Sequence, residues 1–117
     1  MTQKTAPTTK VAITYQAQPD QIENAVRALT DLIAVVVATE PDCFGIQLYQ
    51  DPADPARIFL FEEWTSREAY LGPHLQTPHL LAFKASSGPL FVGPPERSFW
   101  RLQAEFAAEG REPAGEA

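Results

Sequence analysis

Between residues 10 and 103 the apolar positions switch repeatedly between a two-residue period and one of roughly 3.6 residues, the signatures of strand and helix. Val11, Ile13 and Tyr15 alternate with Ala12, Thr14 and Gln16, which predicts a first strand from about Lys10. After Gln18, Pro19 and Asp20, the positions Ile22, Ala25, Val26, Leu29, Leu32, Ile33, Val36 and Val37 recur every three or four residues, so one face of a long helix is buried. Asp20 and Glu23 are spaced for a capping box at its start, and Glu23, Arg27 and Asp31 occupy its outer face. Glu40, Pro41 and Asp42 end it.

Residues 43–50 alternate again, with Phe44, Ile46 and Leu48 opposed to Gly45, Gln47 and Tyr49, and predict a second strand. The DPADPA turn that follows is short enough for an antiparallel hairpin into a third strand. Residues 58–61 are apolar without a polar alternate, and the strand ends in Glu62, Glu63 and Trp64. Thr65 with Glu68 is read as a second capping box. The helix it starts is interrupted at Gly72 and Pro73 and restarted by Thr77 and Pro78, and Gly88 is placed to close it. A fourth strand is expected over residues 98–103.

The order strand, helix, strand, strand, helix, strand predicts an α+β, ferredoxin-like βαββαβ sandwich. It forms one domain over residues 10–103, between flexible tails at 1–9 and 104–117. Two helices cover only one face of a four-stranded sheet. Strand three nevertheless offers Phe59 and Phe61 on one face and Ile58, Leu60 and Trp64 on the other. A second copy packed sheet to sheet is the simplest cover, so a homodimer is expected.

Charge and composition then remove function classes. With 15 acidic against 9 basic residues the net charge is -6, which repels phosphate backbones and anionic lipid surfaces; neither nucleic acid nor membrane is expected as a partner. No apolar run is long enough to span a bilayer, and the amino terminus lacks an apolar signal core, so a cytoplasmic setting is expected. Cys43 is the sole cysteine and reads as a packing residue.

Candidate chemistry concentrates in residues 57–83, which hold both histidines. His74, at the helix break, either faces a cavity between helix and sheet or caps local backbone. His79, in the first turn after Pro78, reads as a surface position, with a neutral acceptor role as the functional alternative. Glu62 and Trp64 share a strand face. Glu62 reads as the partner of Arg97 or Arg101, with a buried carboxylate in a pocket wall as its alternative, and Trp64 reads as core that also lines the pocket. Tyr15, Tyr49 and Tyr70 could each supply a hydroxyl, and Tyr49 is taken as the pocket residue. Two histidines five residues apart, without further ligands, do not make a metal site.

The Pro-Asp helix start, Gln50-Asp51-Pro52 in the hairpin turn, Glu62 with Trp64 at the end of strand three, and the segment His74-Leu-Gln-Thr-Pro-His79 resemble the antibiotic biosynthesis monooxygenase family. The HLQTPH segment is similar to small bacterial quinol monooxygenases. The hairpin turn and the Gly93-Pro94 approach to strand four resemble enzymes that process the autoinducer-2 signal. The family resemblance implies a dimeric α/β barrel that oxidises a quinol, anthrone or similar electron-rich aromatic with dioxygen and without metal or flavin. His74 would be the proton acceptor, with Trp64, Tyr49, His79 and Glu62 as substrate-binding candidates. The autoinducer-2 likeness implies instead an isomerase or lyase on a small carbonyl compound, and a small-molecule-binding dimer module is a third possibility. In haem-degrading relatives an axial histidine and a tryptophan align with Phe83 and Gly72 here, so haem is not expected.

Overall fold

The computed structural model describes residues 7–110. Four strands, β1 (Thr9–Gln16), β2 (Cys43–Asp51), β3 (Asp54–Trp64) and β4 (Glu96–Trp100), form one antiparallel sheet in the order β2-β3-β1-β4. Helix α1 (Ile22–Thr39) joins β1 to β2. Between β3 and β4 the chain makes α2 (Arg67–Leu71), a 3-10 turn (His74–Gln76), α3 (Pro78–Ser86) and a second 3-10 turn (Gly88–Leu90). This is the ferredoxin-like sandwich that the apolar rhythm predicts, with all helices on one face of the sheet. Among the described residues, no helix is long and apolar enough to cross a membrane.

Strand parity decides what is buried. Val11, Ile13 and Tyr15 of β1 and Ile58, Leu60, Glu62 and Trp64 of β3 all point under the helices and are buried. Leu29 and Val36 of α1 close over them, and truncating a residue placed like Leu29 to Ala costs about 2–5 kcal/mol. Phe59 and Phe61 point the other way and are only partly covered. Val37, expected on the buried face of α1, is 46% exposed, because the apolar arc of this helix is wider than the sheet beneath it.

Both expected capping boxes are absent. Backbone bonds from Ala17 to Ala56 and from Gln18 to Leu90 hold the chain before α1. The helix therefore starts after Gln21, whose side chain bonds Asn24 rather than the helix backbone, so Asp20 and Glu23 form no cap. Thr65 is occupied by Asp42, to which it donates from both its amide and its hydroxyl, and Ser66 caps α2 instead by accepting from Ala69. Thr77 does cap α3, with Pro78 at its first position. Gly88 is not a left-handed terminator: Ser87 closes α3 and Gly88 begins the next 3-10 turn. The fourth strand lies two residues earlier than expected. β1 begins at Thr9 and pairs Lys10 with Trp100, so residues beyond Trp100 have almost no strand left to pair with. Residues 101–108 have no regular structure. Of the expected tails, residues 1–6 and 111–117 lie outside the described residues.

Candidate functional site

The register of the sheet gathers the chemistry on the helix-covered face. Val11 of β1 lies opposite Glu62 on one side and Phe99 on the other, and Ile13 lies opposite Arg97. Glu62, Trp64, Arg97 and Phe99 therefore share one face. From above, α2 places Tyr70 with its ring edge-on to Trp64, centroids 5.5 Å apart, and to Phe99 at 5.8 Å. The break at Gly72 and Pro73 then turns His74 inward until it is 5% exposed, with its ring 4.5 Å from Trp64 and 4.9 Å from Tyr70.

Three polar arrangements follow. Trp64 donates its indole N–H to Glu62 Oε1 at 2.8 Å. Burial pushes the Glu62 carboxyl up to about 7, against the opposing effects of that hydrogen bond and of the Arg97 charge. Arg97 donates from Nε to the Tyr70 hydroxyl at 2.8 Å, and burial holds that phenol up at about 12. Glu40, just past the last turn of α1, receives His74 Nδ1 at 2.9 and 3.1 Å and His79 Nε2 at 2.5 Å. A carboxylate only accepts, so each of those ring nitrogens carries its proton. Burial lowers the His74 pKa more than the bond to Glu40 raises it, so the ring is neutral with its hydrogen on Nδ1.

A cavity of about 550 Å³ opens beside this network, between α3, the second 3-10 turn and the approach to β4. Its wall is mostly apolar, with Leu80, Phe83, Phe91, Pro94 and Pro95. The Phe91 ring lies 5.0 Å from Tyr15 and 6.2 Å from Phe83. Tyr15, Arg97, Lys84 and Ser87 are its polar lining. Burial raises the Tyr15 phenol well above its ordinary value, so it is a neutral hydroxyl able to donate. A larger concavity, about 890 Å³, lies on the open sheet face against Ala12, Thr14, Phe59, Phe61 and Trp100. Glu62, Trp64, Tyr70 and His74 all lie on the other side of the sheet.

The residues singled out from the sequence are thus divided. Glu62, Trp64 and His74 come together, and His79 joins them through Glu40. His79 is not a surface residue, because the end of α1 delivers Glu40 to it. Glu62 makes no ion pair with Arg97 or Arg101 among the described residues; it is held by Trp64 instead. Tyr49 is excluded from the group: it pairs with Phe59 on the open face, is half exposed, and bonds Gln47. His74 does not line the cavity; its link to the cavity's Arg97 runs through Tyr70. Burial pushes the Cys43 thiol up to about 11, consistent with packing rather than nucleophilic chemistry. Among the described residues no cluster of three His, Cys, Asp or Glu is arranged to hold a metal ion. The role of Glu40 is the feature that sequence reasoning missed. The available signal was a carboxylate at a helix C-terminus, where the helix dipole disfavours it and a cationic or donor partner is needed.

Comparison with known proteins agrees with this architecture. No curated protein matches the sequence. Among solved structures, the Pseudomonas aeruginosa protein PA3566 superposes with a TM-score of 0.75 at 24% identity, covering 87% of this chain and all of that one. Rv0793 from Mycobacterium tuberculosis gives 0.70 at 28% identity, covering 86% and 99% of the two chains. A candidate antibiotic biosynthesis monooxygenase from Caulobacter crescentus gives 0.75 at 26% identity, covering 84% and 92%. The family model for antibiotic biosynthesis monooxygenases matches residues 8–86, from the start of β1 through α3, a span that includes Glu40, Glu62, Trp64, Tyr70 and both histidines. The chain belongs to the antibiotic biosynthesis monooxygenase family.

Proposed function

We propose that the protein is a cofactor-independent monooxygenase that oxidises a quinol, anthrone or similar electron-rich aromatic with dioxygen. The observation that carries this reading is the cavity itself: an aromatic-lined space of about 550 Å³ whose polar lining is a neutral tyrosine hydroxyl, a serine and two cations. That volume lies in the range of small-molecule sites. For an anthrone, the substrate methylene gives up its two hydrogens, one atom of dioxygen becomes the new carbonyl oxygen, and the other leaves as water. Both electron pairs in this balance are accounted for by substrate and dioxygen.

The task left to the protein is to favour the substrate anion. Arg97 supplies positive charge oriented by its bond to Tyr70, and Tyr15 supplies a hydrogen-bond donor from a buried ring. His74 is assigned a positioning role in place of direct proton transfer. Held by Glu40, it packs against Tyr70, which in turn receives Arg97. The isomerase reading would call for a more polar cavity than one walled by Phe83, Phe91, Leu80 and two prolines.

The test is oxygen uptake with a panel of quinols and anthrones, with product identified. Turnover that falls sharply in Arg97→Gln and Tyr15→Phe, and only partly in His74→Gln, supports the assignment. Failure of every quinol and anthrone on the panel removes the proposed reaction. The open face of the sheet, with Phe59 and Phe61 half covered, also supports the proposal that a second copy packs there. Sedimentation as a monomer at micromolar concentration would refute that arrangement.

A further inference from the structure

The cavity's charge is out of keeping with the rest of the molecule. The chain carries a net charge of -6, yet this cavity is lined by Lys84 and Arg97 and by no acidic side chain. Neither cation forms an ion pair with a carboxylate of the described residues. Lys84 stands in the last turn of α3, where the helix dipole favours a cation, and that accounts for its tolerance but not for Arg97.

Arg97 is oriented rather than loose. Its Nε is committed to the Tyr70 hydroxyl, and Tyr70 is itself fixed between Trp64, His74 and Phe99. An arginine held at Nε keeps its two terminal nitrogens for a planar, two-oxygen partner. On the adjacent strand and the same face of the sheet, the Tyr15 hydroxyl, which makes no hydrogen bond to another side chain of the described residues, can donate to an oxygen. The rings of Phe83 and Phe91 provide the apolar wall.

We infer that the cavity selects an aromatic ligand bearing a carboxylate, with the ring against Phe83 and Phe91 and the carboxylate held by Arg97, assisted by Lys84. This names the substrate class of the proposed oxidation and rests on that reading of the cavity as the substrate site. The two remain separable because binding is measured without turnover.

The experiment is calorimetric titration of the full chain with naphthoate and with naphthamide, which is its uncharged near-isostere. Naphthoate is expected to bind at least about tenfold more tightly, the scale of a charge-assisted hydrogen bond. That preference should disappear in Arg97→Gln and shrink in Lys84→Gln, and Arg97→Lys should restore only part of it, because a lysine keeps the charge without the fork. Both side chains are exposed, but Arg97 also bonds the buried Tyr70 hydroxyl, so each variant is titrated well below its own melting temperature, which separates lost binding from lost folding. Equal affinity for the two probes, a preference that survives Arg97→Gln, or binding of neither probe by the wild type would each overturn the inference. Oxygen uptake on neutral quinols alongside any of those results would leave the proposed reaction standing without this selectivity.

Discussion

Replacing Glu62 with Gln should stabilise this protein above neutral pH and do little below pH 5. Glu62 is 4% exposed, and burial moves its pKa from an ordinary 4.5 to about 7. Below 4.5 the carboxyl is protonated in both folded and unfolded chains, and no proton is exchanged on folding. Between 4.5 and about 7 the unfolded chain has lost its proton while the folded chain retains it, so stability falls as pH rises. Above about 7 both forms are ionised and the loss is complete. At 1.36 kcal/mol per pKa unit, the total is about 3 kcal/mol. Glutamine is nearly isosteric and its carbonyl can still accept from the Trp64 indole, so Glu62→Gln removes the titration while keeping the hydrogen bond. Urea unfolding of both proteins from pH 4.5 to 8 is the assay. Subtracting the two curves cancels every group they share, and the difference should grow by about 3 kcal/mol across that range in favour of the variant. Parallel curves, or a difference that grows toward acid, would refute the argument that burial dominates at this carboxyl.

Glu40→Ala should cost about 2–4 kcal/mol in urea unfolding, because it leaves two partly or wholly buried imidazole N–H groups without their acceptor. His74 has a lowered pKa, so folding resists its protonation and stability is lost as pH falls below the ordinary value of 6.5; His74→Gln should flatten that acid-side decline in the same assay. Trp64→Phe should cost about 1–3 kcal/mol by depriving buried Glu62 of its donor, and should leave the red-shifted emission of exposed Trp100 as the remaining tryptophan fluorescence. Gly93 has φ of 71° with open space where a Cβ would stand, so Gly93→Ala should cost about 1–2 kcal/mol by backbone conformation alone, and Gly93→Asn less, as read from thermal melts.

The elements were legible because their patterns are long and uninterrupted: α1 carries an apolar stripe over 18 residues, β1 alternates strictly, and β3 is marked by the unbroken apolar run of residues 58–61. The helix break at Gly72 and Pro73 and the restart at Thr77 and Pro78 were equally plain, since each depends on the local chemistry of glycine and proline. Caps were not. Thr65 and Asp20 have the right side chains, but tertiary partners decided which residue was free to cap, and those partners lie far along the chain: Asp42 is 23 residues from Thr65, and Ala56 and Leu90 hold the segment before α1 from further still. The same limit hid Glu40, which reads as a helix stop until the fold brings His74 and His79 to it from 34 and 39 residues away.

Histidines draw attention in a sequence because their ionisation lies near neutral pH, but access to a ligand is decided here by strand parity. Tyr15 reaches the cavity because it shares a face with Val11 and Ile13, and Arg97 because it sits opposite Ile13. A slip of β4 by one residue would turn Arg97 toward the open face and bring Glu96 or Ser98 under the helices, replacing the cavity's oriented cation with an acid or a hydroxyl. The left-handed Gly93 and the two prolines after it come just before this strand, so the loop that sets the register also forms part of the cavity wall. His74 and Glu40 act one layer behind, through the packing of Tyr70. A substitution in that layer should therefore change how well Arg97 is aimed more than whether the cavity forms, which is the behaviour of a positioning group and not of a base in contact with substrate.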